Sequence, residues 1–253
     1  MSVKDKEIIE VSDKHVVLRT VLFIALIVIA AAAFATAIIS IGHKDPGWQI
    51  IDASADADVP FYSSSIGLAY YMEGSSSEIR QSVATLTSLY SKTLKRMYML
   101  FDSTNEYSGY VNLATINNNL GKEIAVPEEV FYVLTDFYEK TLSGEANLFN
   151  NLPYEAEQAL LNSQFYDEEY ENERIEALRA VCGKRDNFSF EVVDSEKQII
   201  KINVSPAVIS VSNQYETGSA YIGLNELYFY YMTYLVGQVL AENGYPDACF
   251  YTK

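Results

Sequence analysis

Only two histidines occur in the 253 residues, His15 and His43, and they flank a long uncharged run near the N-terminus. Everything beyond residue 43 must therefore do any acid–base chemistry without imidazole. That argues against Ser-His-Asp and Cys-His nucleophilic catalysis and against most zinc sites. No Gly-rich phosphate loop is present. The two cysteines, Cys182 and Cys249, could pair outside the cytoplasm or remain as a buried free thiol and a spare one, and two are too few for a disulfide framework. Asp167, Glu168, Glu169, Glu171 and Glu173 could hold a hard cation. They lack the Gly-centred spacing of a calcium loop, and at helical spacing they point several ways, so a solvated helix face is expected. Tyr228, Phe229, Tyr230, Tyr231 and Tyr234 could form a stacking platform for a flavin or a sugar. In a chain with 20 tyrosines, an aromatic core face of a helix is the preferred reading. Asn187-Phe188-Ser189 and Asn203-Val204-Ser205 match the glycosylation pattern, which matters only in a host that reads it.

The charge balance narrows the partners. Residues 1–19 hold four bases and four acids, so the formal charge of −16 falls on the rest of the chain. Such a domain repels phosphate backbones, and nucleic-acid binding is not expected. The hydrophobic fraction of 49 % supports a sizeable core.

Thr20 to Ile41 contains no charged residue. At 1.5 Å per residue these 22 positions span about 33 Å, close to a hydrocarbon core of about 30 Å. Small-x-small sites at Ala33–Ala35 and Ala35–Ala37 lie inside the run rather than after it, so an uncleaved signal anchor is expected rather than a cleaved peptide. Lys14 and Arg19 precede the span and Lys44 alone follows it closely, which places the N-terminus inside and the domain outside. The expected organisation is a cytoplasmic segment 1–19, a transmembrane helix 20–41 in the lipid bilayer of the cell membrane, an acidic linker 42–60 and an extracytoplasmic domain 61–253.

Within that domain the spacing predicts a strand over 61–71. A helix of about 25 residues follows, on the stripe Ile79, Val83, Leu86, Tyr90, Leu94, Met97 and Phe101. Next come a polar loop over 102–122 and a helix opened by Pro127 and closed by Gly144. After a turn at 145–153, a helix is expected over 154–180. Strands are expected at 188–193 and 198–204, a third short one at 207–211, a helix at 224–241 and a last strand at 248–251. The class is α+β.

The middle of the domain resembles the ApbE family, the FAD:protein FMN transferases. The stretch that carries the likeness is Leu100-Phe101-Asp102, Asn105-Glu106-Tyr107, Asn112-Leu113, Thr115-Ile116-Asn117 and Gly121-Lys122, followed by Thr141-Leu142-Ser143-Gly144-Glu145-Ala146-Asn147. The resemblance spans roughly residues 61–251. It implies an extracytoplasmic enzyme that binds FAD, uses Mg²⁺ and transfers FMN to a Ser or Thr hydroxyl of a partner protein. It also leaves Tyr107, Gly144 and Asn147 as positions that would line a flavin pocket or serve the fold. The family's Asp-Leu-Gly-x-x-Ala-Lys-Gly-Tyr segment aligns with Gly223 to Tyr231, where only Leu224 and Tyr231 agree; the acid becomes Gly223, the lysine Phe229 and its glycine Tyr230. The later segment bearing Asp and Thr metal ligands has no counterpart. No catalytic or metal-binding residue is therefore expected. The expectation is an incomplete, inactive relative acting as a binding or scaffold module beside membrane or flavin-handling proteins. The alternative is a transferase completed by a second chain.

Overall fold

The long helix begins where a serine and a glutamate satisfy each other. The backbone N–H and hydroxyl of Ser75 both donate to Glu78 Oε2, at 2.8 and 2.7 Å. Such a reciprocal cap satisfies donors that the first helical turn cannot. Helix α1 then runs Ser76–Phe101, and Ile79, Leu86, Tyr90, Leu94, Met97 and Phe101 are buried along one stripe. Each such side chain contributes about 1.5–3 kcal/mol on burial.

The computed structural model describes residues 45–52, 66–161 and 167–252. The span expected at 20–41 lies outside them. Among the described residues, no helix is long and apolar enough to cross a membrane. The chain divides into two units, Met1–Trp48 with Tyr71–Ala84, and Gln49–Tyr70 with Thr85–Lys253. In the first, the exposed Trp48 meets Tyr71 edge-on at 5.7 Å.

Among the described residues, helices mix with two small sheets, consistent with the α+β class. One sheet has the order β1-β2-β6, with β1 Gly47–Ile51, β2 Ile66–Met72 and β6 Cys249–Thr252. Strand β2 pairs antiparallel with β6, Ile66 opposite Thr252 and Leu68 opposite Phe250. The other sheet has the order β3-β5-β4, antiparallel throughout, with β3 Glu123–Ala125, β4 Phe188–Asp194 and β5 Ile199–Val204. Helix α2 is Leu113–Asn117, α3 Glu128–Ser143, α4 Asn151–Leu161, α5 Glu168–Cys182, α6 Pro206–Gln214 and α7 Tyr228–Glu242. Helix α4 packs on α5, and α5 on α6.

Several expectations need correction. The linker over 42–60 contains strand β1, because Gln49 and Ile51 alternate inward. The loop over 102–122 contains α2, nucleated by a capping box in which Asn112 Oδ1 accepts from the Thr115 backbone at 2.9 Å. The single helix over 154–180 is two, α4 and α5, with residues 162–166 outside the described residues. The third strand at 207–211 is helix α6. Pro206 occupies its first turn, and Val208 and Ser212, four apart, are its buried positions. A run of β-branched residues looks like a strand, but packing against α5 selects the helical period.

Candidate functional site

Where α1 ends, Asp102 folds the following loop around its own carboxylate. Its Oδ1 accepts the backbone N–H groups of Thr104 and Asn105, at 2.8 and 2.9 Å. Its Oδ2 accepts Asn105 Nδ2 at 3.1 Å and the Tyr107 hydroxyl at 2.7 Å. Burial pushes the carboxyl's pKa up, but these hydrogen bonds together outweigh it and hold the group below its usual range. Burial and then the bond to Asp102 push the Tyr107 hydroxyl well up, so it stays a donor.

Two asparagines extend this frame. Asn112 Nδ2 donates to the carbonyls of Met99 and Asn105, at 3.0 and 2.7 Å. Asn117 reaches across 105 residues of sequence: its Nδ2 donates to Ile222 O at 3.1 Å, and its Oδ1 accepts Ile222 N–H at 3.0 Å. The segment after Ile222 is thereby held opposite the Asp102 turn.

Between them lies a cleft of about 400 Å³, within the range typical of small-ligand sites. Tyr98, Phe101 and the Asp102 turn form one side, Asn151, Tyr154, Glu155 and Gln158 of α4 another, and Leu224, Asn225 and Tyr228 the third. Among the described residues that line it, none is a lysine, arginine or histidine. Glu155 is exposed as a residue, yet its carboxyl is crowded by protein. Burial first, and the charge of Asp102 second, raise its pKa.

Asn225 is only 5 % exposed and holds a left-handed backbone, φ 48°. Its Nδ2 donates to Asn147 O at 3.2 Å, and its Oδ1 has no hydrogen-bond partner among the described residues. Turning the amide over would set oxygen against oxygen at Asn147, so the unsatisfied atom is the acceptor.

The structure does not bring Tyr107, Gly144 and Asn147 together in one pocket. Tyr107 stands behind the cleft wall, on Asp102. Gly144 and Asn147 line a separate hollow of about 280 Å³ with Thr141, Cys182 and Arg185. Gly144 ends α3 in the left-handed conformation, φ 83°, which glycine adopts without strain. Asn147 Oδ1 accepts Phe149 N–H at 3.0 Å, and its Nδ2 donates to Cys182 O at 3.3 Å. Both therefore serve the fold.

No family model, curated protein or solved structure matches the chain. The chemistry of the cleft must be read from its own residues, and these do not fit FAD with Mg²⁺. Among the described residues, a pyrophosphate would face two carboxylates and no cationic side chain. Asp102 is engaged by four hydrogen bonds, and among the described residues no group of three or more His, Cys, Asp or Glu gathers as a metal site.

Other candidates resolve as follows. Cys182 is buried and Cys249 exposed, and both are free, so no bond joins them. Burial pushes the Cys182 thiol up to about 12, which makes it inert. The acid run is only partly a solvated face. Asp167 caps α5, Glu171 is buried and pairs with Arg174 at 2.9 Å, and Glu173 accepts the Tyr215 hydroxyl at 2.9 Å. In the aromatic cluster only Tyr231 is fully buried, donating to Asp136 at 2.8 Å. Tyr230 is 50 % exposed, Tyr234 stacks on Tyr132 at 5.5 Å, and Tyr228 joins the cleft.

Asn151, Glu155 and Asn225 carry no motif that marks them as site residues in sequence. The one signal is that 223–231 departs from the ApbE pattern the sequence resembles, and Leu224, Asn225 and Tyr228 of that segment line the cleft.

The charge on Glu155 has a stability consequence. Its folded pKa lies above its unfolded value of about 4.3. The ionised form therefore costs stability fully above the folded pKa and nothing below the unfolded one. Glu155→Gln is expected to raise Tm modestly at pH 7, the exposed position limiting the gain, and to leave it unchanged near pH 3.5. Thermal melts of both proteins at the two pH values check this.

Proposed function

We propose that this chain is a membrane-tethered, extracytoplasmic relative of the FAD:protein FMN transferases that has lost the transfer chemistry and kept a small-ligand cleft as a binding module. The tether is the uncharged run at 20–41. The relationship rests on the motif order from Leu100 to Asn147.

The observation that carries the loss of chemistry is at Gly223. A Cβ placed there would lie 2.0 Å from Asn151 Oδ1 and 2.4 Å from its Cγ. Asn151 is 2 % exposed and tied by its Nδ2 to Ala220 O at 2.7 Å, so it has little room to withdraw. The position that the family fills with an acid is closed to any side chain.

The test is isothermal titration of FAD, with and without Mg²⁺, into the full-length chain in nanodiscs, followed by an FMN-transfer assay on a Ser/Thr acceptor protein. Neither binding nor transfer is expected. Micromolar, Mg²⁺-dependent binding would overturn the reading and favour the alternative, a working transferase completed by a second chain. Strand β6, at the edge of its sheet, offers the backbone groups such a chain would pair with.

A further inference from the structure

We propose that the aromatic corner of Trp48 and Tyr71 rests on the lipid surface beside the tether, at the headgroup level of a zwitterionic bilayer. This rests on the reading of 20–41 as a membrane anchor and adds a second contact to it. Trp48 is 59 % exposed and Tyr71 50 %, and the two rings meet edge-on at 5.7 Å. Both belong to the unit formed by Met1–Trp48 and Tyr71–Ala84. Along β1, Gln49 and Ile51 are buried, while the exposed Ile50 shares the side of Trp48. An indole and a phenol each join an apolar body to one polar tip. Such rings suit the membrane–water interface, where one end is apolar and the other wet.

Two further observations point to lipid as the occupant. The first is charge. No residue of β1, β2 or β6 is charged, whereas the other sheet carries Glu123, Glu191, Asp194 and Lys201. The nearest acids along the chain, Asp45 and Asp52, stand outside β1 on either side. A strand open to water commonly carries charge, and one pressed on lipid sheds it because a charge there is costly to desolvate. The second is reach. The uncharged run ends at Ile41, and seven residues lead from it to Trp48, at most about 25 Å of extended chain. The headgroup layer itself takes up about 5–8 Å of that distance. Contact with the anchoring bilayer is therefore intramolecular, and a short tether makes even a weak surface affinity effective. The formal charge of −16 opposes an anionic surface, which selects a zwitterionic one.

Other places in the molecule lack this convergence. The cleft holds two carboxylates and several rings, with nothing that names a ligand. In the hollow at Gly144, Arg185 already donates to Leu142 O at 2.7 Å and the Cys182 thiol is inert. The exposed rings at Tyr132, Tyr230 and Tyr234 stand beside Lys140 and Asp136 and have nothing that specifies an occupant.

Trp48 is the sole tryptophan of the chain, so its fluorescence reads the contact without any substitution. The full-length chain is placed, one copy per disc, in phosphatidylcholine nanodiscs. Part of the lipid is brominated either near the headgroup end of the acyl chains or near their methyl end. Emission is expected at shorter wavelength than that of N-acetyltryptophanamide in buffer, with weak quenching by aqueous iodide. The shallow bromines should remove much of the signal and the deep ones little.

Proximity to the tether alone could shield Trp48, and a second reporter separates the two cases. Trp48→Phe with Tyr71→Trp moves the tryptophan to β2, far along the chain from the run, and the same quenching pattern is expected there. Both positions are exposed, so the exchange leaves the core untouched, and a thermal melt checks it. Should that pair not fold, Tyr71→Ser keeps Trp48 as the reporter and is expected to open it to iodide; unchanged shielding would count against the proposal. Iodide quenching of either tryptophan without loss to brominated lipid overturns it. Shielding from both quenchers also overturns it, by assigning the face to protein. Flotation with liposomes after an alkaline wash reads the tether separately. A chain that floats with an iodide-open Trp48 loses this contact alone, and a chain that washes off loses the anchor as well.

Discussion

Asn117→Leu is expected to remove about 4 kcal/mol of stability and to lower Tm by about 10 °C. Asn117 is 3 % exposed and serves three backbone groups: the carbonyls of Ser103 and Ile222, and the N–H of Ile222. Leucine has similar bulk but neither accepts nor donates, so Ile222, itself fully buried, would keep an N–H and a carbonyl without partners. Each such group costs about 1–3 kcal/mol. Against a total of about 5–15 kcal/mol, the loss is a large share. The effect on binding follows from position. Ile222 leads directly into Leu224 and Asn225, so the third wall of the cleft loses its tie to α2 and the Asp102 turn. Urea unfolding of the full-length protein measures the loss of stability. A loss under about 1 kcal/mol would mean that another contact holds the 222–225 segment in place.

Gly223→Asp places here the acid found in the ApbE pattern that the sequence resembles, and it is expected to damage the protein. Glycine is required here for space and not for backbone conformation, since its φ lies outside the left-handed region. The new Cβ overlaps Asn151, whose displacement would break its bond to Ala220. Overpacking of this kind costs about 1–3 kcal/mol, and an unpaired carboxylate in a buried place adds to it. A total of about 3 kcal/mol or more is expected. Pairing the change with Asn151→Gly should recover much of the loss, because the clash lies between these two residues; the double-mutant cycle reads that coupling directly. Near-normal stability in Gly223→Asp, together with Mg²⁺-dependent FAD binding, would remove the main support for a silent cleft.

Much of the secondary structure could be read from the chain because the signals are local. Ser75 and Glu78 mark a helix start, Pro127 and Gly144 bracket α3, and the stripe from Ile79 to Phe101 repeats at the helical period over about six turns. The turn between Val193 and Gln198 separates two strands that alternate. Each of these depends on neighbours within a few residues, and each is present at nearly its expected bounds. Errors fell where local preference and packing disagree: at 207–211, where a β-branched run is helical because α5 accepts that face, and at 113–117, where a polar loop hides a five-residue helix made by one asparagine cap.

The sequence by itself determined the chemical vocabulary. It excluded histidine chemistry beyond residue 43, placed a long uncharged run at 20–41, concentrated negative charge in the domain and marked 223–231 as a segment that departs from a transferase pattern. Only the tertiary structure decided the site. It separated Tyr107 from Gly144 and Asn147, turned Asp102 inward on its own loop, and assembled a cleft from α1, α4 and the 222–228 segment. The reason is physical. Asn117 and Ile222 are 105 positions apart, and Asn147 and Asn225 are 78 apart. The pairing of such distant groups is set by which buried donors and acceptors must satisfy one another once the chain has packed, and no spacing along the sequence encodes that choice.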